Sequence, residues 1–459
     1  MKWSRLLCCM LSSGLCLCLF GCGGGETPAS EPADAPSVPP AESSAAPAPT
    51  AQAPWESEEA YADYYRLSTE TQYGDSGRLA EFLRKCENGE TVRVGFIGGS
   101  NTDSGPGPAL NGWAGKRSDI YSEQILSWLR QTYPQANIVN DIAENQYPCI
   151  GVPIEQRYNI ANGATASDFG VFRITSQLLD KSPDLVIVEY TTNDGPGDDY
   201  DETFESLCRK ILSAPNHPAI IGVGNRNAYG TSEPYLMRTA KHYNFPWVSF
   251  TRVLNKGEET GAFTLDDVSG DTVHWNVQGH HLMAQLIISR LEDVREQLDT
   301  LPAPEDYTLP EPRTAARYED ATMLWSAPVG NAPAYTPDSW GSWEKGDGNY
   351  QDKNYNTIHG FVADTTGGAP LRCTVQGRLI TLWWASTGAD KASTATVVVD
   401  KGTAQEKTIE VSTQNGAPFV KTVVFGEETD TLTHTLEITC TGTDGGAVNL
   451  CGIGVASRT

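Results

Sequence analysis

Val92-Arg93-Val94-Gly95-Phe96-Ile97-Gly98-Gly99-Ser100-Asn101-Thr102-Asp103 is the stretch on which the reading of this chain turns. Val94, Phe96 and Ile97 make a short apolar run of strand-forming residues, and Gly98-Gly99 then removes side chains where the backbone must turn. Ser100 is left at the strand's carboxyl end. In an open parallel sheet that end borders the crevice where ligands bind, because the loops diverge there. A serine so placed can be a nucleophile. Taken alone, the tripeptide reads more readily as a flexible turn, and what decides between the two lies downstream.

After a helical lead-in around Ala60 to Lys85, short apolar runs alternate with amphipathic segments. Val92–Ile97, Asn137–Ile142, Leu185–Glu189, Ala219–Val223 and Trp247–Phe250 read as strands, each short and rich in branched or aromatic residues. Between them Tyr121, Ile125, Trp128 and Leu129 recur at helical spacing, as do Val171, Ile174 and Leu178, and then Phe204, Leu207, Cys208, Ile211 and Leu212. Met283, Leu286, Ile287, Leu291 and Val294 mark a last long helix. This alternation predicts a parallel five-stranded sheet with helices on both faces, a three-layer α/β domain over residues 59–300. The aperiodic stretch Asn140 to Asn159 reads as an inserted loop.

From Leu301 the text turns proline-rich and acidic, which marks a linker over 301–315. Beyond it Leu371–Val375, Leu379–Trp384, Ala395–Asp400, Lys407–Val411, Val420–Phe425, Thr433–Thr439 and Val448–Val455 read as evenly spaced strands between Gly, Asp and Thr turns. They predict a C-terminal all-β sandwich or jelly roll over 316–459. Trp340, Trp343, Trp383 and Trp384 are candidate sugar-stacking faces there. Adjacent strand residues point to opposite sides, so core packing claims at least one of Trp383 and Trp384, and a supporting role for this domain is the stronger expectation.

The amino terminus carries Lys2 and Arg5, an apolar stretch from Leu6 to Phe20, and then Leu19-Phe20-Gly21-Cys22, which resembles a bacterial lipobox. Residues 1–22 are thus expected to be a lipoprotein signal with Cys22 lipidated, a plain secretory signal being the alternative. Residues 23–58, dominated up to about Pro54 by Gly, Pro, Ala, Ser, Thr and Glu, are too poor in apolar bulk to fold and read as a tether. The expected location is the extracellular face of the cell membrane. A formal net charge of -25 argues against nucleic acid as a partner. Cysteines in the body of the chain show no metal-ligand spacing, so neither a metal nor a cofactor is expected. Cys440 and Cys451 either face each other across a hairpin or are small buried hydrophobes.

Four pieces of the α/β region then fit together. Ser100 follows the first strand, Gly163 lies in Ala-Asn-Gly-Ala-Thr, Asn193 follows the third strand, and Asp271-Thr-Val-His274 precedes the last helix. A serine hydroxyl needs a base, which His274 supplies; Asp271, three residues earlier, holds the imidazole. A tetrahedral oxyanion needs preorganised donors, and the N–H groups of Ser100 and Gly163 with the amide of Asn193 offer three. Each piece has a plainer reading as well: Asp271 as a turn cap, His274 as a surface residue, Asn193-Asp194-Gly195 as a turn. His280 and His281 read as structural, and the acidic run Asp198, Asp199, Asp201, Glu202 as favouring a helix start through its dipole.

In that order, over roughly Thr91 to Leu298, the pieces resemble the SGNH hydrolases, also called GDSL esterases. The resemblance implies a flavodoxin-like three-layer fold, with Ser100, Asp271 and His274 catalytic and Ser100, Gly163 and Asn193 forming the oxyanion hole. The chain departs from the pattern at Gly99, where many members carry Asp, and at Asn101, where an aliphatic residue is usual. The expected function is an extracellular serine esterase that removes small acyl groups, acetyl above all, from polysaccharide or oligosaccharide. The alternatives are a non-catalytic carbohydrate-binding lipoprotein and a lipid or short-chain acyl esterase.

Overall fold

The parallel strands read from the sequence line up side by side in the computed structural model, which describes residues 51–103, 116–139, 157–302, 304, 306–346, 350–351, 357–358, 360–385, 392–413, 419–426, 432–443 and 447–457. The expected signal, Cys22 and most of the tether fall outside these residues, as does 140–156 of the expected loop. Asn137–Ile138 pairs with Thr91–Val92, and the same run continues past Arg93 as Val94–Gly98 to pair with Leu185–Glu189. Ala219–Gly224 and Trp247–Ser249 follow outward, and every pairing is parallel. Counted along the chain the order is 2-1-3-4-5, the flavodoxin-like arrangement, so the first strand sits where the order reverses. That switch point is where Ser100 emerges.

The strands are buried on both faces, which is why they read as continuous apolar runs. Leu185 and Ile187 enter one core with the helices Gly77–Glu87, Tyr121–Thr132 and Val277–Arg295, while Val186 and Val188 enter a second with Ser167–Gln177, Asp198–Leu212 and Glu233–Tyr243. Residues 157–159 close the stretch read as an inserted loop, yet from there to Asn162 the backbone runs along the first strand: Phe96 N–H donates to the Tyr158 carbonyl (3.0 Å) and Asn162 N–H to the Gly98 carbonyl (3.0 Å). Ile160 is buried in the second core and Asn159 Nδ2 donates to the Thr102 carbonyl (2.8 Å), but so short a run carries no strand period.

The C-terminal region is two facing antiparallel sheets. One places Leu379–Ala385 and Val448–Ala456 at its centre, and the other orders Leu371–Gln376, Thr433–Thr443, Ser393–Val399 and Lys407–Ser412. Cys440 and Cys451 lie in different sheets and do not face each other across a hairpin; both are packed as small hydrophobes. Trp343, Trp383 and Trp384 are buried, and Trp340 packs part-buried on Phe361, so these tryptophans are not open stacking faces. Trp384 fills the sandwich core, whereas Trp383 points the other way and meets Phe169 of the α/β region with ring centroids 4.4 Å apart.

The acidic run has a use that the sequence reading missed. Asp201 accepts both guanidinium nitrogens of Arg313 (2.8 and 2.5 Å), and Glu202 accepts Arg317 (Nη2 at 2.6 Å). Glu205 accepts the backbone N–H groups of Arg313 and Thr314. These carboxylates therefore strap the chain beyond 310 to the helix, and the helix dipole is the smaller part of their role. The partners lie more than a hundred residues away in sequence, which no local pattern announces.

Candidate active site

Gly98 and Gly99 are required by what approaches them. A Cβ on Gly98 would lie 2.4 Å from the Glu189 carbonyl oxygen, and one on Gly99 would lie 2.0 Å from the Asn193 Oδ1. The departure from the family pattern at Gly99 thus makes room for the Asn193 side chain against the nucleophile turn. Asn193 is held by its own turn, in which its N–H and that of Asp194 both donate to the Tyr190 carbonyl (2.9 and 2.8 Å). Asp194 is buried, which pushes its carboxyl well up, and it accepts the Ser167 N–H (2.7 Å) at the start of the Ser167–Gln177 helix.

Ser100 and His274 are 174 residues apart in sequence, and the fold brings Ser100 Oγ to 2.8 Å from His274 Nε2. On the other side of the ring Nδ1 lies 2.9 Å from Asp271 Oδ2. A carboxylate only accepts, so Nδ1 carries the proton and Nε2 presents its lone pair to the serine O–H. Asp271 Oδ1 also accepts the N–H groups of Val273 (2.6 Å) and His274 (2.7 Å). One side chain thus both caps the turn and holds the imidazole. Burial pushes the Asp271 carboxyl up, but these hydrogen bonds outweigh it and hold it below the usual range. Burial lowers His274, with Asp271 opposing, so the imidazole is neutral and basic at neutral pH. The loop ends where Asn276 caps the last helix by accepting the Gly279 N–H (3.0 Å).

Asn101 clamps this arrangement. It is buried, its Nδ2 donates to the Val273 carbonyl (3.2 Å) and its Oδ1 accepts the Trp275 N–H (3.0 Å). The residue that follows Ser100 thereby grips the backbone on both sides of His274, something an aliphatic residue cannot do. Trp275 Nε1 in turn donates to Asn225 Oδ1 (3.0 Å) at the end of the fourth strand. With leucine at 101, the buried Trp275 N–H would be left unmet, at about 1–3 kcal/mol, and the part-buried Val273 C=O would lose its donor. Displacing His274 by about 1 Å costs on the order of 100-fold in rate. Asn101→Leu is therefore expected to lower kcat by roughly 10–100-fold with little change in KM, as steady-state kinetics would show. An unchanged kcat would mean that the clamp does not set the geometry.

Gly163 N–H donates to the Asp103 carboxylate (3.1 Å). Service as an oxyanion donor requires that contact to open. Among the other residues singled out, His280 is buried against Tyr121 and Trp275, and burial pushes its pKa down to about 3, so it is a neutral packing residue. His281 is a surface residue whose Nδ1 meets Gln124 Oε1 (3.0 Å). Glu189 lies beneath the nucleophile turn, wholly buried, its pKa pushed up to about 7 by burial, and it accepts the Thr102 hydroxyl (3.3 Å). Asn101, Asp103, Glu189 and Asn225 were not legible as site residues, since their roles depend on partners brought in by the sheet order.

No family profile and no curated protein sequence matches this chain. Solved structures do. Two crystal structures of a two-domain esterase active on acetylated mannans, one of them co-crystallised with mannopentaose, align with a TM-score of 0.69 at 23% identity. The alignment covers 86% of this chain in both cases, and 98% and 99% of those chains. Axe2, an acetylxylan esterase from Geobacillus stearothermophilus, aligns at 18% identity with a TM-score of 0.28, over 44% of this chain and 94% of its own. The chain thus shares its fold with a two-domain esterase, and it brings Ser100, His274 and Asp271 into one hydrogen-bonded chain at the switch point of its sheet.

Proposed function

We propose that this protein is a serine esterase that removes acetyl groups from polysaccharide through an acetyl-enzyme. The observation that carries the reading is the unbroken relay from Ser100 Oγ through His274 to Asp271, at 2.8 and 2.9 Å. Ser100 Oγ attacks the ester carbonyl as its proton passes to His274 Nε2. The carbonyl oxygen becomes an oxyanion beside the Ser100 N–H and the Asn193 amide, with Gly163 joining once Asp103 moves aside. Collapse expels the sugar alkoxide, which takes the proton from His274 and leaves as the alcohol. Water then attacks the acetyl-serine with His274 as base, releasing acetate and restoring the serine. Asp271 stabilises the imidazolium formed in each half and does not itself take the proton.

The substrate class is supported by the neighbouring fold, whose two-domain esterase acts on acetylated mannans, and by the net charge of -25, which disfavours anionic polymers. Neutral acetylated hemicellulose, mannan or xylan, suits it best. Export and lipidation at Cys22, on the extracellular face of the membrane, are part of the same proposal and rest on the N-terminal sequence alone. One experiment addresses both parts. Full-length protein in its membrane should release acetate from acetylated mannan or xylan with a higher kcat/KM for acetyl than for octanoyl esters, and metabolic labelling with a fatty acid should be lost in Cys22→Ser. A preference for octanoyl esters with no acetate released from any glycan would overturn the substrate class. Labelling that persists in Cys22→Ser would overturn the anchor.

A further inference from the structure

Tyr229 stands beside the catalytic turn with 81% of its surface exposed, against 41–47% for the other exposed large hydrophobic side chains among the described residues. A lone exposed ring on a loose loop needs no explanation. This one is held in place. Asn227 Oδ1 accepts the N–H groups of Tyr229 (2.8 Å) and Gly230 (3.1 Å), forming a tight turn after the Ala219–Gly224 strand. Ala228 N–H donates to the Thr272 carbonyl (2.9 Å), and the Thr272 hydroxyl donates to the Tyr229 hydroxyl (3.4 Å). Thr272 is two residues from His274, so chain geometry alone keeps their Cα atoms within about 7.6 Å. The turn that carries the ring is therefore anchored at the rim of the catalytic site.

On the reading that the substrate is an acetylated glycan, we propose that Tyr229 is a stacking platform for one pyranose ring of the polysaccharide while another residue of the same chain presents its ester to Ser100. A flat aromatic face suits the C–H face of a sugar, and the polar groups of Asn227 and Thr272 beside it suit the hydroxyls at the sugar's edge. A fatty acyl chain calls for a continuous apolar surface, which a single ring on a polar turn does not provide. Because the turn that carries the ring is held by backbone hydrogen bonds to Asn227 and to the catalytic turn, its backbone needs little ordering on binding.

The test compares Tyr229→Ala and Tyr229→Phe in the full chain on 4-nitrophenyl acetate and on acetylated mannan. Tyr229→Ala should lower kcat/KM on the polymer by about 3- to 10-fold, through KM. The small ester carries no pyranose ring to stack and should be turned over at the wild-type rate. Tyr229→Phe keeps the ring and should match wild type on both, which separates stacking from the hydroxyl's contact with Thr272. Wild-type polymer kinetics in Tyr229→Ala would overturn the proposal, and so would an equal loss on both substrates, which would place the effect in the catalytic turn. Wild-type protein that cleaves the small ester but no glycan would overturn the substrate reading first and the proposal with it.

Discussion

Ser100→Ala and His274→Ala are each expected to abolish turnover of an activated acetyl ester, with losses in kcat of up to about 10⁶-fold, and the double variant should lose little more than either single one. The reason is geometric. Oγ and Nε2 share one proton across 2.8 Å, so removing either end disables the same transfer. What survives is the background from the oxyanion donors and binding, about 10³-fold over water in comparable sites. Folding should persist, because neither side chain fills the core. The acid limb of kcat/KM adds an independent check. Burial lowers the His274 pKa from the ordinary 6.5, so the base stays unprotonated down to a lower pH, and the limb should fall below 6.5 as pH decreases. Ser100→Ala protein of verified purity that keeps wild-type rates would show that another residue is the nucleophile.

Deleting everything after Glu311 is expected to yield no soluble folded protein, although every proposed catalytic residue is retained. Met323, Trp325, Leu379 and Trp383 belong to the same apolar core as Phe169, Phe172 and Leu207. Losing four large side chains from a core removes about 1.5–3 kcal/mol each. Asp201 and Glu202 would lose their arginines, and buried Lys210, which donates to the Val171 carbonyl (3.1 Å) and to the Ala321 carbonyl, would lose the second acceptor. The sum is comparable with the whole stability of a typical domain, about 5–15 kcal/mol. Expression of the truncated chain with circular dichroism and small-ester kinetics decides it. A soluble, cooperatively melting fragment with wild-type activity on 4-nitrophenyl acetate would show that the sandwich is a separable module.

Much of this was legible because local physics writes it into local sequence. Buried parallel strands must be continuous apolar runs, so the Leu185–Glu189 and Ala219–Gly224 strands announced themselves, and alternation with helical periods implied the three-layer fold. The spacing of Asp271 and His274 is short enough for one turn to set their geometry, and the pair was readable for that reason. The missed features depend on residues far apart in the chain. Sugar stacking stayed open for the tryptophans beside the supporting role because a strand pattern does not say what lies against its outer face; here that face of the sandwich packs on the α/β region through Trp383 and Phe169. The acidic run read only as a helix-start dipole feature because its arginines, Arg313 and Arg317, come from more than a hundred residues further along the chain. Asn101 looked like a departure from pattern because its partners, the Val273 carbonyl and the Trp275 N–H, are backbone groups that leave no trace in residue identity. Sequence alone thus determined which residues form the relay and on what class of scaffold. Only the tertiary structure decided what holds the relay in register, since that work falls to backbone hydrogen bonds and a core shared by segments hundreds of residues apart.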